Sequence, residues 1–249
     1  MANQILNTPG GAGQVPAGKS LVGAKNNNGT VVNGFTNKLF VIDLENLPYS
    51  PRYGNTVIGD KTYQTVLYPT QEWTTENLDL LITGITMGDF YSQYGEPTAV
   101  YLKNEENYSK ANKYGLHYNV ACISIINDYL TEGWRVPTYN DWHTLLEFIR
   151  QRYSDPEVDI IKKIKSTTGW IENNGTNEYG LALVPAGWLD TTDPTDYQEH
   201  KQARLLYDEG STNKSYTVTF IYNSDAAHFG DRNSNYHFPL RLVRDLPRP

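Results

Sequence analysis

Between Pro137 and Arg152 the chain carries its most complete set of signals for one local structure. Thr138 is a good helix N-cap, and Asp141 stands three residues later in the spacing of a capping box. Trp142, Leu145, Leu146 and Ile149 then recur at i, i+3, i+4 and i+7, which puts them on one face of a helix. The spacing predicts a helix over 139–152. A second is expected after Asp155, with Pro156 in its first turn, Val158, Ile161 and Ile164 inward and Gly169 just beyond its end. Both apolar stripes read as core packing.

Elsewhere the pattern shortens to the period of two that strands require. Lys61 to Tyr68 is rich in β-branched and aromatic residues, and Leu39 to Ile42 has the same character. Tyr216, Val218, Phe220 and Tyr222 alternate with Ser215, Thr217, Thr219 and Ile221, and Phe238, Leu240 and Leu242 alternate around Pro239 and Arg241. These last two stretches read as strands. Between them, residues 223–237 form a polar connection of about fifteen residues, a length that inside a compact domain points to function or to disorder. Residues 84–116 read as loops with short strands. The longest apolar runs, Val120 to Ile126 and Leu181 to Val184, are strand-sized, far short of the roughly 18–20 residues of a membrane span. The fold class is therefore α+β, with two helices and antiparallel strands. Residues 1–34, punctuated by glycines and by Asn26-Asn27-Asn28, read as an extended arm too poor in apolar surface to offset its own ordering entropy. Residues 35–54 make a connecting strand and turn, and 55–249 a domain.

Charge and rare residues narrow the chemistry. The net charge of −7, with no basic run, argues against a nucleic-acid partner held by phosphate neutralisation. The N-terminus shows no basic region followed by an apolar one, so no secretory signal is read there. Cys122 is the one cysteine, which excludes an intrachain disulfide, and its apolar setting reads as a buried small hydrophobe. The five histidines, at 117, 143, 200, 228 and 237, lack zinc-ligand spacing. Asp190, Asp193 and Asp196 match no calcium loop. No cofactor or metal is expected, and no nucleophile elbow or phosphate-binding glycine loop occurs. Nineteen tyrosines beside many Asn, Gly and Thr suit adaptable recognition surfaces.

Several phrases fall in one order: Gly59-Asp60-Lys61-Thr62-Tyr63-Gln64-Thr65-Val66, Gln71-Glu72-Trp73 with Glu76-Asn77-Leu78, and Lys113-Tyr114-Gly115-Leu116-His117-Tyr118-Asn119. Then come Gly133-Trp134-Arg135-Val136-Pro137-Thr138 with Asp141-Trp142, Asn177 to Leu181 with Leu183-Val184-Pro185-Ala186-Gly187-Trp188, and Leu240-Arg241-Leu242-Val243-Arg244-Asp245. This order, over about residues 55–245, resembles the Fibrobacter succinogenes major paralogous domain family. The resemblance implies a C-type-lectin-like fold related to formylglycine-generating enzymes, with the strands at 215–222 and 238–243 paired antiparallel. Those enzymes rely on a cysteine pair near the C-terminus, and here Leu242 stands at the family's closing cysteine position. Glu96-Pro97-Thr98, without a Trp-Asn-Asp, departs from the calcium site of sugar-binding C-type lectins.

The expectation is a non-catalytic binding protein. In the preferred setting it is a virion component, a capsid- or tail-attached fibre or decoration made in the host cytoplasm, that recognises host-surface glycan or protein. Residues 1–34 would attach it to capsid or tail proteins, with a homo-oligomer as one arrangement and no membrane insertion. A bacterial cell-surface adhesin or polysaccharide-associated module is the second reading, and a formylglycine-generating type of enzyme the third. The candidate ligand-binding residues are Tyr207, Asn223, Asp225, His228, Asp231, Arg232, Asn233, Asn235, Tyr236 and His237, which together offer donors, acceptors and an aromatic platform.

Overall fold

The computed structural model describes residues 49–87, 96–100, 114–153, 155–190 and 198–247, together with the strand segments 19–21, 24–25, 31–32 and 41–43. The chain divides into two compact units, Met1–Tyr49 and Ser50–Pro249. In the first, β1 (Lys19–Leu21) pairs antiparallel with β4 (Val41–Asp43), and β2 (Ala24–Lys25) with β3 (Val31–Val32). The strand expected at Leu39 to Ile42 overlaps β4. Leu39, Phe40 and most of the arm at 1–34 lie outside the described residues.

The second unit opens with β5 (Arg52–Ile58), β6 (Lys61–Leu67) and β7 (Gln71–Thr74). The C-terminal β14 (Val243–Asp245) joins them in an antiparallel sheet of order β14-β7-β6-β5. A second antiparallel sheet, β11 (Gln202–Tyr207), β12 (Lys214–Ile221) and β13 (Ala227–Asn233), has β12 in its centre. A small third sheet holds β8 (Thr86–Met87), β9 (Thr98–Val100) and β10 (His117–Tyr118), with β8 and β9 parallel. The loops and short strands expected over 84–116 match these pieces, while 88–95 and 101–113 fall outside the described residues.

Two helices stand among the described residues, α1 (Cys122–Tyr129) and α2 (Tyr139–Arg150). The α2 helix is the expected one, with its capping box complete: Thr138 Oγ1 accepts from the Asp141 N–H, and the Asp141 carboxylate accepts from the Thr138 N–H. Its Trp142, Leu145 and Ile149 are buried, and Trp142 packs against Trp73 at 4.5 Å and Phe220 at 5.7 Å between ring centroids. The helix thus joins the two larger sheets.

Three expectations are corrected. The strand-sized run Val120 to Ile126 forms most of α1, with Cys122, Ile123 and Ile126 buried; a short apolar run fits a buried helix as well as a strand. The helix expected after Asp155 is instead a series of turns. Asp155 and Asp159 capture the N–H groups of Glu157 and Lys162, and the Lys162 and Lys163 carbonyls accept from Thr176 and Tyr179. The backbone groups a helix would pair internally are already taken. Ile161 and Ile164 still point inward, whereas Val158 is half-buried.

The third correction concerns the closing strands. β12 pairs with β11 and β13, from Gln202↔Ile221 to Tyr207↔Tyr216 on one side and Lys214↔Asn233 to Phe220↔Ala227 on the other. The middle of residues 223–237 is therefore an edge strand, β13. Its polar sequence hides the alternation because Phe229 is its one large apolar side chain, and that ring faces Tyr139 and His143 of the helix. Residues 238–242 thread the core in extended form, and their backbone pairs with Tyr118, Leu206, Leu78 and Thr74 in turn. Phe238, Leu240, Arg241 and Leu242 are fully buried there.

Asp141 joins these parts. Beyond its capping role it accepts Gln71 Nε2 at 2.9 Å and both terminal nitrogens of Arg135, which also reaches Asp245. Burial alone would raise its carboxyl, but Arg135 and Thr138 outweigh this and hold it below the usual range. Thr138→Ala removes one cap bond and costs about 1 kcal/mol. Asp141→Ala also leaves Arg135 and Gln71 without their acceptor and costs about 3 kcal/mol, the low end for a broken buried pair because Arg135 is partly exposed. Urea unfolding followed by tryptophan fluorescence checks this ordering; equal losses would contradict it.

Candidate functional site

The residues singled out over 207–237 separate into three groups. Asn223 and Asp225 are exposed in the turn that joins β12 to β13. His228, Asp231, Arg232 and Asn233 are exposed along β13, on alternating faces. His228 Nε2 lies 3.1 Å from Ser224 Oγ, Asp231 pairs with Lys214 at 2.7 Å, and Arg232 donates to the Asp231 carbonyl. Tyr236 is half-buried and stacks at 5.2 Å on Trp188, whose ring also carries the Arg204 guanidinium.

Tyr207, Asn235 and His237 are buried, so the surface assigned to them is corrected: they support it from below. His237 Nε2 meets Thr98 Oγ1 at 2.8 Å, and Asn119 donates to the same hydroxyl and to the Glu96 carbonyl. His117 lies beside this group with Nε2 3.1 Å from the Ala186 carbonyl. Cys122 completes it, with Sγ 3.2 Å from the Thr98 carbonyl and from Asn119 Oδ1. Burial pushes its thiol up to about 12, so it is protonated and unreactive at neutral pH. Among the described residues no His, Cys, Asp and Glu group of three or more could hold a metal ion, and no helix is long and apolar enough to cross a membrane. Asp193 and Asp196 lie outside the described residues.

The helix-side face of β13 carries what the sequence reading missed. Tyr139 and His143, one turn apart on the outward side of α2, meet Phe229. Ring centroids are 4.4 Å apart for Tyr139–His143, 4.8 Å for Tyr139–Phe229 and 5.3 Å for the stacked His143–Phe229 pair. Tyr207 lies behind Tyr139 and Phe229, with Tyr216 next to it. Tyr139 is 38% exposed and His143 is exposed, so the cluster is an aromatic platform at the surface. Asp231 is at its border, since Tyr216 is its cross-strand partner. The signal was present in the sequence, as two aromatic rings at i, i+4 on the helix face where polar residues belong.

The ordered phrases, by contrast, sit in the framework. Trp73 donates to Gln71, which donates to Asp141. Asn77 accepts from Arg241 and donates to the Tyr114 carbonyl. Gly115 has φ +73°, and a Cβ there would lie 2.7 Å from the Leu78 carbonyl oxygen, so glycine is required. The family model described as the Fibrobacter succinogenes major domain matches residues 66–244, well over half of the chain. The chain belongs to that family. No curated protein and no solved structure matches it. In this member of the Fibrobacter succinogenes major domain family, the signature residues hold the sheets and helices in register, and the platform lies on other positions.

The buried histidines give the fold an acid sensitivity. Desolvation, opposed by hydrogen bonds to backbone carbonyls, lowers both His117 and His237 from 6.5 to about 4. Unfolded histidine binds its proton near pH 6.5, so the unfolded chain gains protons first as pH falls. Their contribution is full above pH 6.5 and is lost between 6.5 and about 4, with a slope of at most about 1.4 kcal/mol per pH unit for each. Urea midpoints measured from pH 7.5 to 4.5 are expected to fall over this window, and His237→Gln to flatten the fall. A wild-type midpoint constant down to pH 4.5 would contradict the assignment.

Proposed function

We propose that this chain is a non-catalytic binding module with a C-type-lectin-like fold, and that it recognises a cell-surface glycan on the Tyr139–His143–Phe229 platform. The observation that carries the reading is the platform itself. Aromatic faces bear a partial negative charge, and the C–H face of a pyranose ring presents partial positive hydrogens, so the two stack without needing a charged ligand. The flanking edge strand supplies hydrogen-bonding groups for the ring hydroxyls, with Asp231 and Asn233 exposed on the same face as Phe229. Such a combination of rigid aromatic contact and adaptable polar groups is what recognition surfaces use.

Two features support the absence of formylglycine-type catalysis. Leu242, at the position of the family's closing cysteine, is fully buried, and the thiol of Cys122 is buried and protonated. The setting in this proposal is a virion, with residues 1–34 attaching the module to capsid or tail proteins and the platform facing the host. The division of the chain after Tyr49 supports an attachment unit separate from the binding unit.

Replacing residues 223–237 wholesale would delete β13 and collapse a sheet, so point variants are the proper test. On an array of bacterial surface glycans, Phe229→Ala is expected to weaken binding at least tenfold, about 1.4 kcal/mol. Arg232→Ala, on the opposite face of the strand, is expected to change it less than threefold. Equal binding by wild type and Phe229→Ala would reject the platform.

A further inference from the structure

The platform does not end at His143. The same ring lines a groove of about 530 Å³ that runs along the outward side of α2. One wall is the helix, where Asn140, Thr144, Glu147 and Gln151 follow at i, i+4, i+7 and i+11, and all four are exposed. The other wall is the turn between β6 and β7, at Pro69 and Thr70. Phe148 contributes to the groove and contacts Tyr68 and Tyr179 edge-on. The volume falls in the range of about 300–1,000 Å³ typical of ligand sites.

From this continuity we infer that the site takes an extended, uncharged oligosaccharide rather than a single terminal sugar. One unit stacks on Phe229 and Tyr139, and the following units lie across His143 and along the groove. Three properties of the lining carry the inference. His143 belongs to both surfaces, so a ligand on one abuts the other. Amide and hydroxyl side chains, from Asn140, Gln151, Thr70 and Thr144, offer donors and acceptors together, which suits vicinal hydroxyls. Glu147 is the one carboxylate in the lining and neither lysine nor arginine is present, while Lys214 near the platform is already paired with Asp231. Among the described residues, a sialylated or phosphorylated chain would find no lysine or arginine lining the groove to meet it. The inference rests on the glycan reading above and deepens it.

The test uses the full chain and an array of linear neutral oligosaccharides, from one to six hexose or N-acetylhexosamine units, alongside sialylated and phosphorylated chains. Binding is expected to rise at least tenfold from one unit to three or more. Thr144→Trp, which fills the groove from an exposed helix position, is expected to reduce the long chains to the single-unit level, and Asn140→Ala to weaken the long chains alone. Melting curves matched to wild type show that both variants are folded. Binding independent of chain length, or long-chain binding that survives Thr144→Trp, overturns this inference and leaves the platform reading intact. Preference for the anionic chains overturns it as well. No binding to any glycan overturns the platform reading and this inference together.

Discussion

The guanidinium of Arg241 is the interaction on which the second unit depends. It lies in the extended segment that threads the core and is fully buried. Nε donates to Asn77 Oδ1 at 2.6 Å, one terminal nitrogen to the carbonyls of Thr74 and Leu181, and the other to that of Ala182. Desolvation lowers its pKa to about 9, which still leaves it charged at neutral pH. A cation so deep is tolerable only because carbonyl and amide dipoles replace its water. Those acceptors come from residues 74–77, at and just after the end of β7, and from the 181–182 segment, so one side chain ties its own extended segment to two pieces of chain that are distant in sequence. Ala182 itself is held at φ +52°, with its N–H donated to Asn177 Oδ1.

A second polar layer lies where the four-stranded sheet meets α2. Glu72 accepts from Thr65 at 2.5 Å and from Arg244 through both Nε and a terminal nitrogen, and Arg244 also covers the Trp134 ring. Arg135, Asp141 and Asp245 form the neighbouring network. Breaking a buried pair is more costly than forming it is favourable, so these residues specify one arrangement more than they add stability. Lys165 acts similarly at the far end of β12, where its ammonium donates to the Ile221 carbonyl and lies 4.7 Å from the centre of the Trp170 ring. The framework is thus closed by buried cations and apolar packing in a chain with no disulfide. The outward positions of α2 and β13 are then released from framework duty and free to carry recognition.

The sequence spoke clearly where local chemistry decides structure. The capped, periodic α2 and the β-branched β6 needed no tertiary information, and the ordered phrases marked the family. It was silent where long-range competition decides. Nothing local to residues 155–164 says that the loop at 176–179 will claim their carbonyls, and nothing in Ala227 to Asn233 says that a mostly polar run will complete a sheet. The site suffered for the same reason. A stretch read as one loop displays Asp231, Arg232 and Asn233 but buries Asn235 and His237, because the chain re-enters the core two residues after β13 ends. Tyr139 and His143 were hidden in plain view, since Phe229, the ring that gives them meaning, lies about ninety residues away.

Two aromatic assemblies among the described residues invite comparison. Trp188 and Tyr236, both half-buried, pack on Phe238 and under the Arg204 guanidinium at the edge of the core. Tyr139 and His143 are exposed, and Phe229, half-buried between them and Tyr207, completes the platform. The most direct measurement is a crystal structure of the chain with the glycan that gives its strongest array signal. The account requires a pyranose face stacked on Phe229 and Tyr139. A sugar seated on Trp188 and Tyr236, with the α2 side empty, would contradict it.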